Sequence, residues 1–385
     1  MPTERAIYLD HNATTPVDPA VFAALRPYLE TEFGNPSSGH EYGQAAREAV
    51  EHARRQVAEL LGADPTEIVF TGGGSEADNL AICGVAFSQW DRGRHIVTTA
   101  VEHPAVLNTC RYLQRRHGFT VTVLPVDQTG LVDPDDVRRA LRDDTILVSV
   151  MHAQNEVGTL QPLADIAAVV RERGVLFHSD AAQSAGKVPV AVKDLGVDLL
   201  AVAGHKLYAP KGVGALYVRN GLTLEPLIHG AGHEAGRRAG TENVAGIVGL
   251  GKACALARKH LHAEALRLQG LRDGLWRRLA GGIPGVRLHG HPERRLPNTL
   301  NIGVAGVAGD DLLAAVPCIA ASTGSACHAG RAEPSGVLLA MGFGPAEALT
   351  AVRLSLGRFN TEEDVGTAAD LLIAAAATLG KAPRR

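Results

Sequence analysis

From about residue 60 to residue 220, short apolar runs alternate with helix-like stretches, and this alternation constrains the fold more than any other feature of the chain. The runs 68–70, 95–99, 120–125, 145–152, 176–180, 199–203 and 214–218 read as strands, and 76–90, 104–117, 134–142 and 163–173 read as helices. Strands that are apolar along their length, separated by helices, fit an α/β layer with a mostly parallel sheet covered on both faces. Beyond residue 245 the texture changes. Residues 247–262 and 263–280 read as two long helices rich in Ala, Leu and Arg, and a smaller α+β section follows, ending in a helix over 361–379. The expected division is a larger domain over 16–256 and a smaller one formed by 1–15 together with 257–385.

A chain of 385 residues with 45% apolar composition can bury both cores. Its 38 basic and 41 acidic residues give a net charge of -3, so neither direct nucleic-acid binding nor attraction to an anionic membrane is expected. The charged start Met1-Pro2-Thr3-Glu4-Arg5 lacks a secretory apolar region, and the longest apolar runs, such as 371–379, are too short to span a bilayer. The expectation is a soluble, cytoplasmic protein. The five cysteines are scattered, with no C-x-x-C spacing, which argues against a disulfide framework or a zinc site and leaves room for one reactive thiol.

Polar residues recur where the strands end. Lys206 follows the run ending at Gly204-His205; a lysine there is poorly solvated and becomes a usable nucleophile, although a lone lysine reads first as a surface residue. Asp180 closes the run before it, where a carboxylate can keep a ring nitrogen protonated or simply cap a helix, and Gln183 follows within reach of a ring hydroxyl. Thr71-Gly72-Gly73-Gly74-Ser75 turns from a strand into a helix, offering bare amides and a hydroxyl to an anion. The spacing matches neither G-x-G-x-x-G nor a Walker loop, so a single phosphate fits better than a nucleotide. His103, before Pro104, can stack on a planar group and move protons near neutral pH, and Asn155 closes another strand. In open α/β sheets the carboxyl ends of the strands form the ligand crevice, so the convergence is more informative than any one residue. Further on, Cys327 sits beside His328 and Arg331 in a Gly/Ser/Ala-rich stretch, a setting for an available thiolate, while the other four cysteines read as core thiols. Arg353 lies in an alternating strand and is a candidate clamp for a carboxylate.

Taken together these segments resemble the cysteine desulfurases, a family of pyridoxal-phosphate enzymes of sulfur mobilisation. The resemblance begins at Tyr8-Leu9-Asp10-His11-Asn12-Ala13-Thr14-Thr15-Pro16 and Gly34-Asn35-Pro36-Ser37-Ser38-Gly39-His40. It passes through the glycine turn, Glu102-His103-Pro104, Asn155-Glu156-Val157-Gly158, Asp180-Ala181-Ala182-Gln183 and Gly204-His205-Lys206. It continues through Arg238-Ala239-Gly240-Thr241-Glu242-Asn243, Pro297-Asn298-Thr299-Leu300-Asn301, Ser322-Thr323-Gly324-Ser325-Ala326-Cys327 and Arg353-Leu354-Ser355-Leu356-Gly357. It implies the aspartate-aminotransferase-like fold, type I, with a mostly parallel central sheet and a smaller α+β domain.

The resemblance also implies roles. Lys206 is the lysine that holds pyridoxal 5'-phosphate covalently, His103 stacks on its ring, Asp180 partners the ring nitrogen and Gln183 the ring hydroxyl. Gly74, Ser75, His205 and the main chain at Ala203 bind the phosphate, and Thr241 reaches the phosphate of a second subunit in a homodimer. Arg353 grips the carboxylate of L-cysteine, aided by Asn155 and Asn35. Cys327 takes the sulfur as a persulfide for an acceptor or scaffold protein, and the polar stretch after it resembles the long-loop subgroup. Three departures stand out: Ala203 replaces a common serine, Gly74-Ser75 a common Ala-Thr, and Gln154 a common asparagine. The implied reaction is removal of sulfur from L-cysteine to leave L-alanine. A selenocysteine lyase on the same scaffold, or a transaminase in which Cys327 is incidental, is compatible with the same residues.

Overall fold

Seven of the apolar runs form one sheet in the computed structural model, which describes residues 6–323, 327–328 and 331–380. Across the sheet the strands are Ile68–Thr71, Gly214–Val218, Leu199–Ala203, Leu176–Asp180, Thr145–Ser149, His95–Thr99 and Thr120–Leu124. Gly214–Val218 runs antiparallel to both its neighbours and the other pairings are parallel. The exception follows from chain length. Only residues 204–213 join Leu199–Ala203 to Gly214–Val218, too few for the crossover that a parallel pairing needs.

Helices cover both faces. Gly74–Ser88 and Pro104–His117 pack Leu80, Ile82, Val106 and Leu113 against Ile96, Leu147 and Leu216. On the other face Glu41–Leu61 and Leu163–Glu172 bring Val57, Leu61 and Ile166 against Val97, Phe177 and Val202. A separate antiparallel sheet orders Ala351–Ser355, Thr299–Gly303 and Arg287–His289. It shares its core with the terminal helix Glu362–Leu379 through Leu300, Leu354 and Leu372.

One helix, Val244–Gly282, replaces the two expected over 247–280. No proline or glycine stands near 262–263 to break it, so the backbone ladder continues. Ile247, Leu250 and Ala257 belong to the first core and Leu268, Leu275 and Leu279 to the second. Each such leucine withdrawn from water contributes about 2 kcal/mol, so the helix ties the two cores together. The N-terminal segment does the same: Ile7–Tyr8 pairs with Ile319–Ala320, Leu9 enters the second core, and the amide and hydroxyl of Thr15 both donate to the His205 carbonyl.

Of the cysteines expected in the core, Cys83, Cys110 and Cys254 are buried, but Cys318 is exposed. It lies in the turn that enters the short strand Ile319–Ala320, where only Ile319 faces inward. Among the described residues no helix is long and apolar enough to cross a membrane.

Candidate active site

The strands Ile68–Thr71, His95–Thr99, Thr145–Ser149, Leu176–Asp180 and Leu199–Ala203 run in one direction, so their carboxyl ends meet on one edge of the sheet. A cavity of about 720 Å³ opens there. Gly72, Gly73, Gly74, Ser75, His103, Asn155, Asp180, Gln183, Ala203, His205, Lys206 and Arg353 all line it. The structure therefore brings together the predicted site residues except Asn35 and Thr241; the side chain of Cys327 lies outside the described residues. Asn35 is exposed and its side chain caps the Ser37 amide, and Thr241 is exposed on the loop before Val244–Gly282. Neither lines the cavity of its own chain.

Lys206 ends a single 3₁₀ turn that follows its strand. Its ammonium donates to the carbonyls of Asn12 and Ala13, the latter at 2.7 Å. Burial, reinforced by Arg353, lowers its pKa to about 8, against the opposing pull of Asp10 and Asp180. For a base whose pKa is lowered, the neutral nucleophilic form is present above that value and is lost as pH falls through it. Stripped of any bound aldehyde, the protein is expected to take up added pyridoxal phosphate at a rate that rises with pH and levels off above about 8. Stopped-flow absorbance measures this, and a rate that keeps climbing toward the ordinary lysine value of 10.5 would contradict it.

The polar wall is set by local capping. His103 is the N-cap of Pro104–His117, and its Nδ1 accepts the Ala105 amide at 3.1 Å. That bond fixes the tautomer: Nδ1 accepts, and Nε2 carries the proton of the neutral ring. Burial, with Lys206, lowers the affinity of His103 for a second proton, against the pull of Asp180. Asp180 is 5% exposed and its Oδ1 accepts the Ala182 amide at 2.8 Å. The capping role and the site role thus coexist in one carboxylate. Gln183 Nε2 donates to the Asn12 carbonyl at 2.9 Å and its Oε1 accepts from Lys187 at 3.0 Å.

The anion end is built on Gly73, the N-cap of Gly74–Ser88. Its φ of 149° is open to glycine and strained for any other residue. A Cβ on Gly74 would stand 3.1 Å from the Cβ of Ala203, so the two departures in sequence face each other. His205 completes this end through Thr14, 3.2 Å from its Nδ1. Arg353, 6% exposed, closes the opposite end: Nη2 donates to Asp10 Oδ1 at 2.8 Å and Nη1 to the Asn155 carbonyl at 3.1 Å, while Nε is buried without a partner.

Cys327 and His328 form a short strand paired with Arg331 and Ala332; Gly324, Ser325 and Ala326, and the side chain of Cys327, lie outside the described residues. The chain on either side is anchored at the cavity. The amide of Arg353 donates to the Ser322 carbonyl at 2.6 Å, and Ser335 donates to Glu156, next to Asn155.

Sequence reasoning missed Asp10, Asn12, Asp78 and Lys187. Asn12 is the hub of the wall: its carbonyl accepts from Lys206 and Gln183, its Nδ2 donates to Thr299 at 2.8 Å, and its Oδ1 accepts from Asn298 at 3.1 Å. The available signal was the polar run Asp10-His11-Asn12 directly after an apolar strand.

A glycine-cradled helix start, a buried carboxylate, a capping histidine and a desolvated lysine in one cavity define a class of protein. The chain belongs to the class-V aminotransferases, whose family model, "Aminotransferase class-V", matches residues 7–367. Within that class it belongs with the cysteine desulfurases. It is 47% identical over 371 residues to the protein named cysteine desulfurase IscS of Dictyoglomus turgidum, covering 96% of this chain and 94% of that one. It is 50% identical over 364 residues to the protein of the same name in Methanosarcina thermophila, covering 94% and 89%. The solved structure of a NifS-like protein superposes with a TM-score of 0.90 at 38% identity, over 97% of this chain and 99% of that one.

The residues fit the pyridoxal 5'-phosphate of that family. The open cradle at Gly73 and the first amides of Gly74–Ser88 would take the phosphate, with Ser75 and His205. Asp180 would take the ring nitrogen, His103 the ring face, Gln183 the ring hydroxyl through its free N–H, and Lys206 the aldehyde.

Proposed function

We propose that the protein removes sulfur from L-cysteine, releasing L-alanine and leaving a persulfide on Cys327 for transfer to an acceptor. The observation that carries this reading is the tether between Ser322 and Arg353, which starts the cysteine-bearing segment from the residue suited to hold the substrate carboxylate. Pyridoxal phosphate, when bound, draws away the electrons of bonds at the α-carbon of the substrate. The chain supplies the rest. Arg353, through its free Nε, pairs with the carboxylate and Asn155 lines the same wall. Lys206, neutral once its proton is shed, accepts the α-proton and returns a proton to carbon. Asp180 keeps the ring nitrogen protonated. The Cys327 thiolate forms an S–S bond with the substrate sulfur as its C–S bond breaks; the electron pair of that bond stays with the carbon fragment, which protonation converts to alanine.

The acceptor or scaffold protein would pass this sulfur to iron-sulfur cluster assembly, tRNA thiolation, cofactor synthesis or DNA sulfur modification, and the relatives' names specify the desulfuration and not the destination. A cytoplasmic homodimer completes the reading. Asn35 and Thr241 stand outside the cavity of their own chain, and the exposed rings of Phe33 and Tyr42, packed on each other, flank Asn35 in sequence, as a face covered by a second copy would. Incubation with L-cysteine is expected to give one alanine per sulfur carried, read by amino-acid analysis and by mass spectrometry of the protein. Faster turnover of L-selenocysteine with no protein-bound sulfur would favour the lyase, and 3-mercaptopyruvate, its sulfur still on carbon, in place of alanine would favour a transaminase.

A further inference from the structure

Asp78 lies one turn inside Gly74–Ser88, is 1% exposed and lines the same cavity, yet the mechanism gives it no task. A carboxyl oxygen of Asp78, one of Asp180 and a ring nitrogen of His103 lie within 4.8 Å of one another. Behind Asp78 stands His178, two residues before Asp180 on the same strand, with Nε2 3.5 Å from Asp78 Oδ1. Neither of those two atoms has another hydrogen-bond partner. His178 Nδ1 is 2.9 Å from the hydroxyl of Ser149, on the adjacent strand. A chain of polar groups thus runs from Ser149 through His178 to Asp78 and stops beside Asp180.

Two buried carboxylates this close do not both ionise, because each charge repels the other where water cannot screen it. The surroundings decide which one keeps the proton. Burial raises Asp180 too, but the Ala182 amide that it accepts, His103 and Lys206 all pull the other way, toward its anion. Burial and the carboxylates of Asp180 and Glu102 all act the other way on Asp78 and hold it well above the ordinary carboxyl range. His178 offers no countercharge, since burial lowers it to about 3 and leaves it neutral. With the Ser149 hydroxyl donating to Nδ1, Nε2 carries the ring proton, 3.5 Å from Asp78 Oδ1.

We propose that Asp78 is a positioning residue for Asp180: a buried acid that keeps its proton, steadied by His178 and Ser149, so that the negative charge at this end of the cavity resides on Asp180. The inference deepens the cofactor reading above and rests on it for its purpose, though not for the state of Asp78.

The test uses the protein as isolated. In infrared difference spectra between wild type and Asp78→Asn, the wild type is expected to show the carbonyl band of a protonated acid. That band is expected to persist well above pH 8, where Glu102, raised to about 8, and Glu156, raised to about 7, have ionised. Should Asp78→Asn fail to fold, persistence of the band in wild type alone supports the inference, and its loss overturns it. The second readout is the rate at which bound pyridoxal phosphate escapes into a large excess of a carbonyl trap, followed with the pH midpoint of its absorbance. Asp78→Asn, neutral and nearly isosteric, is expected to keep both close to wild type. Asp78→Leu, which cannot meet His178, is expected to speed the loss by about tenfold, the worth of a hydrogen bond next to a charge. A carboxylate band for Asp78, or an Asn variant as impaired as Leu, would overturn the inference. A colourless wild-type protein sinks the cofactor reading instead, and the infrared result still decides where the proton is.

Discussion

Lys206→Ala is expected to give a folded but colourless protein whose release of alanine from cysteine falls by about three orders of magnitude or more, the loss that follows when both covalent attachment and proton transfer are removed. The folding half of this expectation follows from the burial of Lys206. Its pKa of about 8 means that folding costs the ammonium part of its hydration, and alanine removes that cost. The carbonyls of Asn12 and Ala13 lose a donor, but they face a cavity that water can enter, so the melting temperature should move little. The chemical half rests on there being no substitute. Lys211 also lines the cavity but is exposed to water, and Lys187, lowered to about 7 chiefly by burial, bonds Gln183 and is not among the residues lining the cavity. Absorbance and mass spectrometry of protein treated with borohydride measure the attachment. Cofactor that stays attached in the variant would move the attachment to another lysine, Lys211 or Lys187, and sink the assignment of Lys206.

Much of this was legible in the chain because burial writes itself plainly into sequence. Strands covered on both faces must be apolar throughout, so 95–99, 176–180, 199–203 and 214–218 stand out, and the polar residues at their ends mark the edge where the ligand goes. Two kinds of information were not local. Asn12 lies about 190 residues from Lys206 and reaches it only because Leu9 and Ser355 lash the N-terminal segment to the second core; nothing in Asp10-His11-Asn12 announces that destination. Asp78 and His178 look like ordinary helix and strand residues until the sheet sets them 3.5 Å apart. The unbroken helix was missed for a different reason: between Ala257 of the first core and Leu268 of the second it passes the polar stretch Arg258-Lys259-His260, which reads as a break although the apolar face continues. Asn35 and Thr241 were picked out by motif alone, and a single chain leaves both outside the cavity.

Cys327→Ser is expected to separate the cofactor from the sulfur chemistry. The variant should be as coloured as wild type and should still bind cysteine, because Lys206, Asp180, His103 and Arg353 are untouched. It should carry no persulfide, and alanine release should fall to background. A serine hydroxyl is not ionised near neutral pH and is a poor nucleophile toward sulfur, whereas a thiol is a few per cent anionic there and its thiolate is a strong nucleophile. The geometry adds a bound. Ser322 is fastened to the main chain of Arg353, and Cys327 follows five residues further along, with four between. Fully extended, such a segment spans at most about 18 Å, so Cys327 is leashed within that radius of the carboxylate clamp and yet has room to turn outward toward an acceptor. The Ser335 bond to Glu156 sets the other end of the leash. Loosening either anchor is expected to slow sulfur transfer and to leave cofactor binding alone, which is the reverse of what Lys206→Ala does. Mass spectrometry of the protein after incubation with cysteine decides the matter. Full alanine release by Cys327→Ser with an added small thiol present, the sulfur ending on that thiol as its persulfide, would show that Cys327 only relays sulfur and does not cleave the bond, and an unchanged load of protein-bound sulfur would move the persulfide to another cysteine, of which Cys318 is the exposed one among those described.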